Sequence, residues 1–95
     1  MTAYTLGEIC QILGIEETFV FELERESIIR ADAQAAPSGR YSALMLERVR
    51  VAYHLVYDLD VNLPGAAVIV RMREEMMGLQ RSVRDLANEL ERKKG

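Results

Sequence analysis

The sequence predicts a mostly α-helical fold: a winged helix-turn-helix with a small two-strand wing, continued by one long C-terminal helix. Three observations carry this. Met72, Met76, Leu79, Val83, Leu86 and Leu90 step by four, three, four, three and four, the spacing of a helical seam that faces a partner helix. Two short amphipathic segments meet at Leu13-Gly14-Ile15, where a glycine suits a left-handed helix end. Finally, Ile28-Ile29 and Arg40-Tyr41 flank Pro37-Ser38-Gly39, which is turn chemistry between two short strands. Residues 1–60 form the winged helix-turn-helix part and residues 61–95 the long helix, together one structural domain.

The first helix starts at Thr5. Glu8 stands three residues on, the capping-box spacing, and Tyr4 and Ile9 are placed for a hydrophobic staple. Leu6, Ile9, Cys10 and Leu13 make its apolar face, and Ile15 is buried in the turn. A second helix follows at about Glu16 to Arg25, with Phe19, Val20 and Leu23 inward; the pair reads as a helix-turn-helix. Ser27 to Arg30 reads as a short strand, and Arg40-Tyr41 as its return. Ser42 caps a third helix that runs to about Asp58, with Leu44, Met45, Val49, Ala52, Tyr53 and Val56 as its core stripe. After a turn from Asp58, Asn62 caps the long helix. Pro64 fits its first turn, where the N–H groups have no intrahelical partner.

From Pro64 to Glu91 the long helix extends roughly 42 Å at about 1.5 Å per residue. The preceding ~60 residues form a globule only about 28 Å across. The C-terminal half must therefore project, with its seam in water. Burying six such side chains is worth at most about 10 kcal/mol before association costs. A homodimer through Met72, Met76, Leu79, Val83, Leu86 and Leu90 is the simplest way to bury them.

Size and composition bound the remaining choices. Ninety-five residues make one small domain. No apolar run is long enough to span a bilayer, and the N-terminus lacks the layout of a secretion signal; a cytoplasmic location without membrane attachment is expected. A single cysteine, Cys10, excludes an internal disulfide framework. The net charge is −3 and the pI about 5.2, which does not favour a phosphate polymer. His54 stands without a second His, Cys or carboxylate at ligand spacing, so no metal is expected, and Cys10 reads as an inert core thiol. Gly-rich phosphate loops and catalytic triads have no counterpart here. The expected class is a non-enzyme without cofactor.

Several short motifs carry a family resemblance. Tyr4-Thr5-Leu6-Gly7-Glu8-Ile9, Leu13-Gly14-Ile15, Glu24-Arg25-Glu26-Ser27-Ile28-Ile29 and Gly39-Arg40-Tyr41-Ser42 together resemble the winged-helix domain of MerR-type regulators. Leu63-Pro64-Gly65-Ala66-Ala67-Val68, followed by Met72 and a charged heptad helix, resembles the chaperone-modulator family called CbpM. The resemblance covers nearly the whole chain. It implies a small MerR-related module that binds the J-domain of a DnaJ-like, CbpA-type co-chaperone and hinders its engagement of a DnaK-type chaperone.

The charges of the first thirty residues separate a DNA reader from a protein binder. Glu8, Glu16, Glu17, Glu22, Glu24 and Glu26 face only Arg25 and Arg30. MerR-type recognition helices usually carry an Arg and a Tyr where this chain has Phe21 and Glu22. Carboxylates repel phosphates, and each missing cation removes a counterion-release contribution. An acidic helix pair suits a basic protein surface instead. The candidate partner-binding residues are Glu16, Glu17, Phe21, Glu22 and Glu24, and around the later turn Asp58, Asp60 and Leu63. Each also has a plain structural reading. The glutamates suit a solvated face, Phe21 could pack under the wing, Asp60 or Asn62 serves only as a cap, and Leu63 serves as core. The alternative function is a MerR-family DNA-binding regulator, which would lean on Arg30 and Arg40; a bare dimerisation or adaptor module is a third class.

Overall fold

The computed structural model describes residues 3–32 and 40–94. The order is β1 (Ala3–Tyr4), α1 (Leu6–Leu13), α2 (Glu17–Arg25), β2 (Tyr41–Ser42), α3 (Ala43–Tyr57) and α4 (Leu63–Lys94). The capping box of α1 is complete: the Glu8 N–H donates to Thr5 Oγ1 at 3.1 Å and the Thr5 N–H donates to Glu8 Oε1 at 3.0 Å. At the other end Gly14 takes φ 67°, and the Ile15 N–H closes on the Cys10 carbonyl at 3.1 Å. Leu-Gly-Ile thus turns the chain by a Schellman cap, and Ile15 is buried behind it.

The core sits where α1, α2 and α3 meet. Ile9, Val20, Leu23 and Val49 are fully buried, with Phe19, Ile28, Ile29, Met45 and Ala52 around them. Leu44 departs from the expected stripe. It is exposed, on the outer side of the first turn of α3, while Leu55 is buried in the last turn. Ser42 caps α3 as expected, accepting from the Met45 N–H at 3.3 Å.

The two-strand antiparallel sheet is present, but its partners differ from the expected ones. Ala3 pairs with Ser42 and Tyr4 with Tyr41, so the N-terminal segment supplies the strand assigned to Ser27–Arg30. The reason lies in the side chains. Ile28 and Ile29 are adjacent and both buried, whereas neighbours in a one-sided ribbon point to opposite faces. The Arg30 N–H donates to Met45 Sδ at 3.4 Å, not to a strand. Among the described residues one isolated bridge, Asp32 to Arg40, stands at the neck of the wing, with the Asp32 N–H donating to the Arg40 carbonyl at 2.8 Å. The Pro37-Ser38-Gly39 turn lies outside the described residues.

Helix α4 begins as the sequence requires, with Asn62 Oδ1 accepting from the Gly65 N–H at 2.7 Å. Its first turns dock on α3 through Ala66 and Val70, both buried, with Leu63 and Ala67 partly buried beside them. Arg48 of α3 clamps the joint. Its Nε and Nη2 donate to the two carboxylate oxygens of Glu74 at 2.7 and 2.6 Å, and Nη1 reaches the Ile28 carbonyl at 3.2 Å. Glu47 meets Arg73 at 3.5 Å alongside. Met72 lies about 160° around the helix from both Val70 and Glu74, so the seam starts on the side turned away from α3. From Leu79 to Lys94 every residue is exposed. The molecule measures 54 × 33 × 20 Å, its long axis set by this projecting helix. Among the described residues no helix is long and apolar enough to cross a membrane.

Candidate partner-binding surface

Three stretches of surface hold the expected residues. The first is the outer face of α2. Phe19, Val20 and Leu23 take the inner face, so Glu17, Phe21 and Glu22 point outward. Phe21 is 46% exposed, so its ring stands at the surface. Glu24 is turned inward along the same helix. Its Oε1 accepts a short hydrogen bond from the Tyr41 hydroxyl, fastening α2 to β2. Burial, then this carboxylate, push the Tyr41 phenol far above its ordinary value. Glu24 is thus tied to the fold, and the side chains of α2 left exposed are Glu17, Thr18, Phe21, Glu22 and Arg25.

The second stretch joins the start of α2 to the end of α3. Phe19 packs edge-on against Tyr53, with ring centroids 5.7 Å apart, and against Tyr57 at 5.5 Å. Tyr53 and Tyr57 lie 4.7 Å apart, tilted by 39°. Glu16, Thr18 and these three rings line a shallow cleft of about 370 Å³ with Gly14 and Ile15. Two candidate sites that the sequence keeps apart, Glu16 and Asp58, thus flank one aromatic cluster: Glu16 lines the cleft and Asp58 follows Tyr57 directly. Tyr57 is 58% exposed and Leu59 66%. The sequence expectation has Tyr53 in the core stripe of α3 and gives Tyr57 no role. Their spacing of four, which stacks two rings on one helix face, was the available signal.

Asp58 has a partner, contrary to the expectation that no carboxylate stands at ligand spacing from His54. His54 Nδ1 lies 2.5 Å from Asp58 Oδ2, so a carboxylate does stand one helical turn from the histidine. Both side chains are more than half exposed. No group of three or more His, Cys, Asp or Glu is gathered for a metal ion among the described residues. Asp60 is exposed with φ 55°, shaping the turn that lets the Val61 N–H reach the Leu55 carbonyl at 2.8 Å. Leu63 packs against the core as the first residue of α4. Neither joins the cleft. Cys10 is partly buried, and burial, then the Glu17 carboxylate, raise its thiol above the ordinary value.

The third stretch is the seam. Met72, Met76, Leu79, Val83, Leu86 and Leu90 are all exposed, from 58% at Met72 to 68% at Leu79. The chain covers none of them with its own helices.

A helix-turn-helix pair, a wing neck and a projecting C-terminal helix define a regulatory protein of the MerR type. The chain belongs to the MerR HTH family of regulatory proteins, whose family model matches residues 4–88. Within that frame it is similar to the chaperone modulatory protein CbpM of Coxiella burnetii, 21% identical over 81 residues that span 85% of this chain and 76% of that protein. It is also similar to a putative heat shock protein, HspR, of Streptomyces coelicolor, 26% identical over 88 residues covering 93% of this chain and 58% of that one.

Proposed function

We propose that this protein is a non-catalytic modulator that binds the J-domain of a DnaJ-like co-chaperone and blocks its engagement of a DnaK-type chaperone. It acts as a homodimer joined through the α4 seam. The observation that carries the reading is the outer face of the recognition helix α2. There Glu17, Phe21 and Glu22 stand exposed, and Arg25 is the one cation among the exposed residues of the helix, where a DNA reader needs several. A carboxylate-flanked aromatic suits a basic helix, steering its approach and supplying an anchor once it docks. Similarity to a chaperone modulatory protein supports the same partner class. Occlusion then needs no turnover: a J-domain held by its basic surface cannot present that surface elsewhere.

Calorimetric titration with a DnaJ-type J-domain tests this. Reversing Glu17 and Glu22 to lysine weakens binding by about tenfold or more at low salt, and the difference shrinks as salt rises. Unchanged affinity removes α2 from the interface. Reversal of Glu24 is a poorer probe, because its bond to Tyr41 confounds folding with binding.

A DNA-binding regulator is the second reading. It is favoured by the match to the MerR HTH family of regulatory proteins and by Arg30 and Arg40, both exposed close to the wing neck. Sequence-selective capture of a duplex at moderate salt, with no retention of a J-domain, selects it over the first.

A further inference from the structure

We infer that the cleft between the α1–α2 turn and the C-terminal end of α3 receives a lysine or arginine side chain from the partner protein. This rests on the co-chaperone reading and names a contact within it. Phe19, almost fully buried, is the floor, and Tyr53 and Tyr57 rise from it. Aromatic faces carry negative quadrupole charge and attract cations that come within about 6 Å of the ring centre. Tyr57 is 58% exposed, so much of its ring is open to such an approach.

The charges around the cleft choose the occupant. Glu16 lines it, exposed Glu17 follows Glu16, and exposed Asp58 follows Tyr57. The basic groups on this part of α3 are already engaged: His54 with Asp58 at 2.5 Å, and Arg50 with Glu47 at 2.5 and 3.0 Å. The start of α2 and the end of α3 carry partial charges of opposite sign that offset one another, which leaves the Glu16 and Glu17 carboxylates to set the potential. A purely apolar occupant would strip water from Glu16 without replacing its hydrogen bonds. An anionic one would be repelled. A cation on an aliphatic stem satisfies ring and carboxylate together.

The test titrates the protein with a DnaJ-type J-domain, using Tyr57→Phe, Tyr57→Leu and Glu16→Gln, each checked for native helicity. Phe keeps the ring face and should bind within about twofold of the parent, while Leu keeps apolar area without the quadrupole and should bind about three- to tenfold more weakly. Glu16→Gln should also weaken binding, with a loss that fades at high salt. Parent-like affinity of Tyr57→Leu overturns the inference and leaves the co-chaperone reading standing. Failure of the parent chain to bind the J-domain overturns both. Sedimentation showing that Tyr57→Leu alters self-association assigns the cleft to a second copy, which also overturns the inference.

Discussion

Ser27 holds a left-handed backbone, φ 59°, that glycine adopts without steric cost and serine does not. The Ile28 N–H closes on the Leu23 carbonyl at 2.9 Å and the Ser27 N–H on the Glu24 carbonyl at 3.0 Å, the Schellman pattern that also ends α1 around a glycine. Ser27→Gly should raise stability by about 0.5–1 kcal/mol in urea unfolding at fixed protein concentration. At Glu8 the Thr5 N–H, then the Thr5 hydroxyl, hold the carboxyl below its ordinary value of 4.5. Above 4.5 its charge contributes to stability. As pH falls through the lower folded-state value the folded chain takes up the proton and that contribution is lost. Glu8→Gln keeps an acceptor for the cap but nothing to titrate. Its stability should therefore vary less with pH below 4.5 than that of the parent chain, as followed by acid unfolding.

The joint between α3 and α4 depends on one forked ion pair. Arg48 and Glu74 are each about a quarter exposed and meet through two nearly parallel bonds, a geometry that outperforms ordinary surface pairs. The same guanidinium reaches the Ile28 carbonyl behind α2, so three segments share one side chain. Arg48→Ala should cost about 1–2 kcal/mol. Arg48→Lys should recover little of it, since an ammonium cannot make the forked contact. Urea midpoints of the three proteins check the order. The strand exchange is explained at this scale as well. Two adjacent isoleucines, both drawn into the core, cannot form the edge of a one-sided ribbon, and the N-terminal segment takes that place beside Tyr41.

At the scale of the whole molecule the dominant feature is a 32-residue helix of which only the first turns are docked. Its buried stripe and its apolar seam lie on nearly opposite sides, so docking on α3 leaves the seam open for another chain. Replacing Val83 and Leu86 by glutamate should convert the proposed dimer to a monomer in sedimentation equilibrium. The winged part should keep its fold, because neither residue lies within the core. A parent chain that sediments as a single subunit at high concentration would refute the pairing.

Local chemistry was enough to read most of this architecture. A capping box, a glycine at a left-handed helix end, an asparagine cap and a heptad seam depend on residues within a turn or two of each other, and each appears where the spacing places it. What the sequence could not rank was contact between distant segments. Only the folded chain decides that Glu24 is spent on Tyr41, that Leu55 rather than Leu44 is buried, and that Phe19 gathers Tyr53 and Tyr57 beside Glu16. Those outcomes follow from how helices rotate and cross when the core closes, a balance of packing among residues many positions apart that no local pattern encodes.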